Sequence, residues 1–433
     1  MDFFTLFAEL ITLSAIFAYI NQRWLKLPTT IGLMIIALIF SLCLITAGIF
    51  VPVVATRAEA IVGSIDFNKT VMQGMLGFLL FAGALHINLS DLREQRWIIA
   101  TLASVGVILS TIIVSGLAFA VFRLAGLEIS FIWCLVFGAL ISPTDPIAVL
   151  GIFKTIQAPK TLETKIAGES LFNDGIGVVI FLGLYEVATG EHGFDLVHLA
   201  ELFFKEAVLG AVFGFVIGWI GFRLLAKIDN YSTEILISLA LAAGGYALAA
   251  AWHLSGPIAM VVAGLIIGNQ GRSYAMSPKT IEHLDTFWEL IDEILNAVLF
   301  VLIGLEIIVL TFTHQYLIAG MLMIPCILLA RLIAVSLPLR FVGKLNPIHP
   351  NVVPMLTWGG LRGGISVALA LSIPTHLNGE VVVAREPILS VTYIVVIFSV
   401  IVQGLTVGPL LRYLISKSET TSSEQLNEAS QTT

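Results

Sequence analysis

Long apolar runs occupy most of the chain and are separated by short polar connections. About 20 apolar residues are enough to cross the hydrocarbon core of a bilayer as a helix. With 58% hydrophobic and 12% charged residues, the chain has too few polar side chains to cover a water-soluble surface. We therefore predict an all-α polytopic membrane protein with about 13 transmembrane helices. The runs are Phe3–Tyr19, Thr30–Phe50, Thr70–Leu89, Trp97–Leu124, Phe131–Phe153, Ile166–Val187, Leu202–Ala226, Glu234–Trp252, Pro257–Gly268, Trp288–Leu310, Tyr316–Leu339, Val352–Ile373 and Ile388–Leu414.

The basic residues indicate how these spans are oriented. If the N-terminus lies outside, most of the 22 Lys and Arg residues fall in the alternate connections that face the cytoplasm, as the positive-inside rule requires. We therefore expect an integral, multi-pass protein of the plasma (inner) membrane, with the N-terminus outside and the C-terminus cytoplasmic. The polar residues 416–433 are predicted to form a disordered cytoplasmic tail.

The sequence also argues against several classes of function. The basic residues are spread over many connections and form no patch for nucleic acid. Cys43, Cys134 and Cys326 fall inside apolar runs, which favours small buried side chains over metal or disulfide chemistry. No segment is typical of a nucleotide-binding domain. We expect no enzyme activity, no cofactor and no nucleotide partner.

Two of the apolar runs are interrupted by residues that break helices. In the fifth run, Ser142–Pro146 places two prolines around Thr144 and Asp145, and each proline removes a backbone donor. In the twelfth run, Trp358–Gly364 surrounds Arg362 with glycines. Such breaks are tolerated at membrane depth only where they are buried in protein or line a cavity. The two runs cross the membrane in opposite directions, so they predict inverted repeats with two crossed discontinuous helices, in which runs four to six mirror runs eleven to thirteen.

The sixth run carries charged side chains where a span should be apolar. Ionisable groups in a span persist only when they are paired or face a polar cavity. Ser170 and Asp174 are four residues apart and therefore lie in one row on the helix. Glu169 and Asn173 form the adjacent row. We assign the first row to a cation, and we expect Glu169 to form a structural ion pair with Arg362.

The deep charges do not cancel. The carboxylates are Asp145, Glu169 and Asp174, and the guanidiniums are Arg362 and a possible further counter-charge, Arg331. One monovalent cation or one proton can neutralise the excess negative charge. If only a neutralised core crosses the membrane, the two ions compete and are exchanged one for one. A sodium-coupled symporter of an organic solute and a channel remain as alternatives.

Four short motifs stand out from the apolar background. They are Phe78–Leu85, Ser142–Pro146, Gly168–Gly175 and Gly359–Gly364. Together and in this order, they resemble the motifs of the monovalent cation:proton antiporter family, in its NhaP-type sodium/proton exchanger branch. The resemblance implies a homodimer with the NhaA/NhaP-type antiporter fold over residues 1–415. The dimerisation part would lie mainly in 1–90 and 233–310, and the core ion-transport part mainly in 97–187 and 316–415.

The same resemblance assigns roles to individual residues. The implied members of the ion site are Asp174, Ser170, Asn173, Asp145 and Thr144, with Na⁺ held by Asp174, Ser170 and Thr144. The implied ion pair of the core joins Glu169 to Arg362. Family members with Asn before the essential Asp are generally electroneutral, which implies electroneutral exchange of Na⁺, Li⁺ or K⁺ for H⁺. The chain departs from many relatives at Ala82, where they carry a Glu.

Overall fold

The computed structural model describes residues 3–414, apart from 64, 68, 147–148, 152, 154–159, 191–196, 198–200, 202, 343–350 and 378. The helices are α1 Phe3–Ile20, α2 Thr29–Phe50, α3 Pro52–Gly63, α4 Lys69–Leu85, α5 Leu89–Glu94, α6 Arg96–Leu124, α7 Phe131–Ile141, α8 Lys160–Thr189, α9 Phe204–Leu225, α10 Tyr231–Ala251, α11 Gly256–Ile266, α12 Pro278–Glu306, α13 His314–Val342, α14 Val352–Gly359, α15 Gly364–Leu371 and α16 Arg385–Leu414. Further helical turns extend α1 through Asn21–Leu25 and α11 through Ile267–Gly271 and Arg272–Tyr274. A short hairpin of β1 His376–Leu377 and β2 Glu380–Val381 joins α15 to α16.

The predicted apolar runs fall on these helices. Within the described residues, seven helices are long and apolar enough to cross a membrane, and the all-α polytopic prediction is confirmed. One clear difference is that α12 begins at Pro278 and not at Trp288. Ser277 accepts a hydrogen bond from the Thr280 backbone N–H, so a cap and a proline start this helix ahead of its apolar part. The predicted disordered tail, residues 416–433, lies outside the described residues.

Both predicted helix breaks are present, and they meet. α7 ends ahead of Pro143, which has no backbone N–H to donate, and a non-helical gap separates α14 from α15. The backbone N–H of Asp145 donates to the Leu361 carbonyl over 2.8 Å, in an isolated antiparallel pairing. The predicted crossing of two discontinuous segments is therefore confirmed. The second half of the fifth run, up to Phe153, is only partly within the described residues.

Small residues let the helices around this crossing approach closely. A Cβ added at Gly138 of α7 would lie 2.3 Å from Ser115 Oγ of α6. One added at Gly177 of α8 would lie 2.3 Å from Pro143 Cγ. Large apolar side chains are exposed on the outer helices, among them Ile39, Leu42, Ile49, Val212 and Phe215. An apolar surface of this extent is what a lipid bilayer covers.

Candidate functional site

The continuous helix α8 carries all four polar residues singled out in the sixth run. The residues are almost fully buried, with 1% exposure for Glu169, 2% for Ser170, 0% for Asn173 and 6% for Asp174. Because α8 is helical throughout, residues four apart share a face, as the spacing predicts. The helix therefore holds both predicted rows inside the protein.

Thr144 connects the proline-containing break to α8. Its Oγ1 lies 3.1 Å from Ser170 Oγ and accepts a hydrogen bond from Asn173 Nδ2 over 2.7 Å. Its backbone N–H donates to Asn173 Oδ1 over 3.2 Å. An Asn suits this position because its amide both donates and accepts. Asn173 thereby orients Thr144, and the hydroxyls of Thr144 and Ser170 converge.

Two carboxylates stand beside these hydroxyls. Asp174 follows Asn173 on α8 and lies one turn from Ser170. Asp145 follows Thr144, is partly buried, and is close enough to Asp174 for their charges to interact. Carboxylate and hydroxyl oxygens are ligands that hard cations prefer. The structure thus gathers the predicted members of the ion site where α8 meets the first break.

Glu169 forms its ion pair with Arg331 of α13. Arg331 Nη1 lies 2.5 Å from Glu169 Oε1, and the two side chains are 6% and 1% exposed. Arg331 Nη2 also donates to the Leu356 carbonyl of α14 over 3.3 Å. The expected pairing of Glu169 with Arg362 is therefore corrected, because α8 presents this carboxylate to α13. Arg331, which the sequence analysis named as a possible counter-charge, is the partner of Glu169.

Arg362 instead contacts the broken backbone. Its Nη1 donates to the carbonyl of Pro143 over 2.9 Å and to the carbonyl of Ser142. Its backbone N–H donates to Ser399 Oγ over 2.8 Å. Carbonyls at the end of α7 lack helical partners, and a guanidinium with five donors can satisfy them. A sequence signal for this contact exists, since carbonyls freed in one break need donors and Arg362 lies in the opposing break.

The corrected pairing predicts a specific pattern of stability losses. Glu169→Gln and Arg331→Gln each leave a buried charge without its partner, which typically costs about 3 to 5 kcal/mol. The double variant should lose less than the sum of the two. Glu169→Gln combined with Arg362→Gln, the comparison pair, should deviate less from additivity, because Arg331 and not Arg362 makes the direct contact with Glu169. Thermal unfolding of the purified proteins measures these losses, and coupling of Glu169 to Arg362 but not to Arg331 would contradict the assignment.

Gly363 allows the two breaks to cross. A Cβ on Gly363 would lie 2.0 Å from Asp145 Oδ2, closer than real atoms approach. Gly363→Ala is expected to displace the Asp145 carboxylate and to slow ion flux by about a hundredfold, a cost typical of misplacing a functional group by about 1 Å. Gly359→Ala is the matched control, because its Cβ would meet its nearest neighbour at 3.6 Å, an ordinary contact. Flux into proteoliposomes checks both variants, and equal rates would show that the crossing tolerates a methyl group.

Two polar residues of α16 that the sequence analysis did not single out support the site. Ser399 Oγ donates to Gln403 Oε1 over 2.6 Å, and Gln403 Nε2 donates to the Trp358 carbonyl over 3.1 Å. Ser399 is 1% exposed and Gln403 is 3% exposed. Their signal in the sequence is a Ser and a Gln inside the thirteenth apolar run. These hydrogen bonds connect α16 to the backbone on either side of the second break.

Ala82 lies on α4, the helix next to the ion-site part of α8. The neighbouring Gly83 is the point of approach, since a Cβ there would lie 3.7 Å from Leu171 Cδ1. Ala82 is 1% exposed, and its methyl group offers no oxygen to a cation. Ala82 therefore supplies no cation ligand from α4.

Comparisons with known proteins agree in family and in fold. The family model described as sodium/hydrogen exchanger, transmembrane, matches residues 11–413. The Na(+)/H(+) antiporter NhaP of Pseudomonas aeruginosa is 49% identical over 417 residues, which cover 94% of this chain and 96% of that protein. The Na(+)/H(+) antiporter NhaH of Halobacillus dabanensis is 36% identical over 396 residues, which cover 90% of this chain and 93% of that protein.

A solved structure shares the fold. The sodium proton antiporter MjNhaP1 from Methanocaldococcus jannaschii, determined at pH 8, matches with a TM-score of 0.73 and 20% sequence identity. The match covers 96% of this chain and 99% of that chain. The shared architecture is an all-α, multi-pass membrane fold. Because the family model and both relatives match nearly the whole chain, this protein belongs to the sodium/hydrogen exchanger family.

Proposed function

We propose that this chain exchanges Na⁺, Li⁺ or K⁺ for H⁺ across the plasma (inner) membrane, one for one and by alternating access. One observation carries the proposal: the buried core holds more carboxylates than guanidiniums. Glu169 is neutralised by Arg331. Arg362 lies at the break next to Asp145, which leaves Asp174 as the excess carboxylate. One Na⁺ or one H⁺ neutralises it, so the two ions compete for one site.

In this proposal each side chain of the site has its own role. Asp174 binds the cation or the proton, and the hydroxyls of Ser170 and Thr144 supply further oxygens to Na⁺. Asn173 orients Thr144 through two hydrogen bonds. Asp145, at the crossing of the two breaks, adds negative potential to the site. The transported ion is cargo, and no cofactor takes part.

The proposal includes the assembly and its orientation. The chain would form a homodimer through 1–90 and 233–310, with 97–187 and 316–415 as the core that moves against that part. The crossing of the two broken segments supports treating the core ranges as one unit. The distribution of basic residues supports an outside N-terminus and a cytoplasmic C-terminus.

Symport of an organic solute is not favoured, because the relatives reported above are named as Na⁺/H⁺ antiporters.

Purified protein in liposomes that contain a pH-sensitive dye tests the proposal. Adding Na⁺ or Li⁺ on one side should drive protons from the other side toward the side of addition, without any organic solute. Proton flux that needs a solute, or flux equal to that of empty liposomes, would overturn it.

A further inference from the structure

A group of buried hydroxyls joins the middle of α6 to the end of α7. Ser142 is the last residue before Pro143, and its Oγ donates to the Gly138 carbonyl over 2.7 Å. The same Oγ lies 3.0 Å from Ser110 Oγ and 3.3 Å from Thr111 Oγ1, both of which are hydrogen-bond distances. A serine hydroxyl has one proton and two lone pairs, so these three contacts use its full capacity.

The three hydroxyls are enclosed by protein. Ser110 is 2% exposed, Thr111 is 4% exposed and Ser142 is 2% exposed. Ser and Thr side chains often connect helices inside a membrane, so a contact of this kind can serve packing alone. The residue that the two α6 hydroxyls hold gives them a further role.

α7 itself holds Ser142 weakly. The helix ends at Ile141, and the hydrogen bond from the Ser142 backbone N–H to the Ala139 carbonyl is long, at 3.4 Å. The next residue is a proline, which has no N–H with which to continue the helical pattern. Side-chain contacts therefore determine where the chain leaves α7.

The position of Ser142 affects the ion site directly. Pro143 alone separates it from Thr144, and the proline ring fixes its own φ, so a displacement is passed on with little slack. The Thr144 Oγ1 lies 3.1 Å from Ser170 Oγ. A shift of Ser142 would therefore change the distance between the two hydroxyls to which we assign Na⁺.

The first break is held from three directions. Arg362 donates to the carbonyls of Ser142 and Pro143, and Asn173 of α8 binds Thr144. These contacts act on the backbone before the break and on the residue after it. The α6 hydroxyls are the third support, and they act on the Ser142 side chain.

We propose that Ser110 and Thr111 are positioning residues for the transported cation. The inference rests on the proposed cation exchange and adds two residues that act through Ser142. By holding Ser142, they keep the Thr144 hydroxyl at the distance from Ser170 that a cation needs. A proton binds to a single carboxylate oxygen and does not depend on that distance. The α6 hydroxyls therefore act on the affinity for the cation and leave proton binding unchanged.

The test removes both hydroxyls by combining Ser110→Ala with Thr111→Val, which keeps the side-chain sizes nearly the same. In proteoliposomes, the KM for Na⁺ is expected to rise about tenfold, which corresponds to about 1.4 kcal/mol. The maximal rate should stay near that of the wild type. The proton concentration that doubles the KM for Na⁺ should also stay the same, because it reports proton binding to the empty site.

Two further variants serve as controls. Thr111→Ser retains both hydroxyls and should bind Na⁺ as the wild type does. Ser115 lies one turn further along α6, is 0% exposed, and donates to the Thr111 carbonyl of its own helix over 2.6 Å. Ser115→Ala therefore removes a buried α6 hydroxyl that Ser142 does not use, and its KM should equal that of the wild type.

The outcomes separate this inference from the proposed function. An unchanged KM in the double variant, when the parent protein exchanges Na⁺ for H⁺, would overturn the positioning role and leave the exchange intact. A lower maximal rate at an unchanged KM would also overturn it, because fewer folded molecules change the rate but not the affinity. An equal KM increase in Ser115→Ala would do the same. A parent protein that moves no cation would overturn both.

The single variants decide the question if the double variant does not fold. Ser110→Ala and Thr111→Val should each raise the KM for Na⁺ about threefold, if their contributions to the affinity add. A wild-type KM in both single variants would overturn the positioning role.

Discussion

Replacing Asp174 with Asn is expected to abolish exchange while the protein stays folded. Asn has nearly the same size but carries no charge and cannot exchange a proton at this position. Because Asp174 is the excess carboxylate of the buried core, its loss leaves nothing for Na⁺ or H⁺ to neutralise. Initial rates of Na⁺-driven proton flux in proteoliposomes should fall to those of protein-free liposomes.

Asp66→Asn is the matched control for this change. Asp66 is exposed, and its Oδ1 accepts the Lys69 backbone N–H, a role that Asn can keep. The control should exchange at the wild-type rate. Size-exclusion chromatography and thermal unfolding establish that both variants fold. A folded Asp174→Asn protein that retains about half of the wild-type rate would show that the excess charge lies elsewhere.

Exchange is also expected to be insensitive to membrane voltage. The core carries an excess of one negative charge when empty and none when it holds either ion, so a complete cycle moves no net charge. Proteoliposomes held at zero or at 100 mV should therefore reach the same Na⁺ distribution for a given pH gradient. Moving a unit charge in each cycle would add about 2.3 kcal/mol per 100 mV, a shift of about fiftyfold in the equilibrium gradient.

Asn173→Asp tests the charge balance behind this expectation. The substitution keeps the oxygen that accepts the Thr144 N–H but adds a second titratable carboxylate to the row of Glu169. We expect its equilibrium Na⁺ gradient to become voltage-sensitive, unlike that of the wild type. A fiftyfold voltage effect in the wild type itself would mean that a further carboxylate titrates, with Asp145 the first to be examined.

Much of the fold follows from local sequence. The apolar runs locate helices because a bilayer forces each span to be long, apolar and internally hydrogen-bonded. The prolines around Asp145 and the glycines around Arg362 locate the breaks, because both act on their own backbone. Spacing within α8 places Ser170 and Asp174 in one row, which requires nothing beyond the helical repeat.

Partners on different helices do not follow from local sequence. Two buried arginines were equally able to neutralise Glu169, and spacing within one helix does not say which neighbour it faces. The structure pairs Glu169 with Arg331 because the long Arg331 side chain of α13 reaches the Glu169 carboxylate of α8. Arg362 is used by carbonyls that the prolines leave without helical partners.

The polar beginning of α12 also escaped a hydropathy criterion. The predicted run began at Trp288, whereas the helix begins at Pro278 and includes Glu282 and Asp285 ahead of that run. A criterion that counts apolar residues excludes such a segment. Helix caps, such as Ser277 before Pro278, locate this end better than hydropathy does.

The central claim is that Na⁺ and H⁺ compete for Asp174. Titrating Na⁺ into the purified protein by calorimetry, in two buffers that differ in ionisation enthalpy, counts the protons released for each Na⁺ bound. At a pH where the empty site is protonated, we expect about one proton released per Na⁺, with the number falling as the pH rises. Asp174→Asn should show no binding heat. Na⁺ binding to the wild type that releases no proton at any pH would contradict the claim.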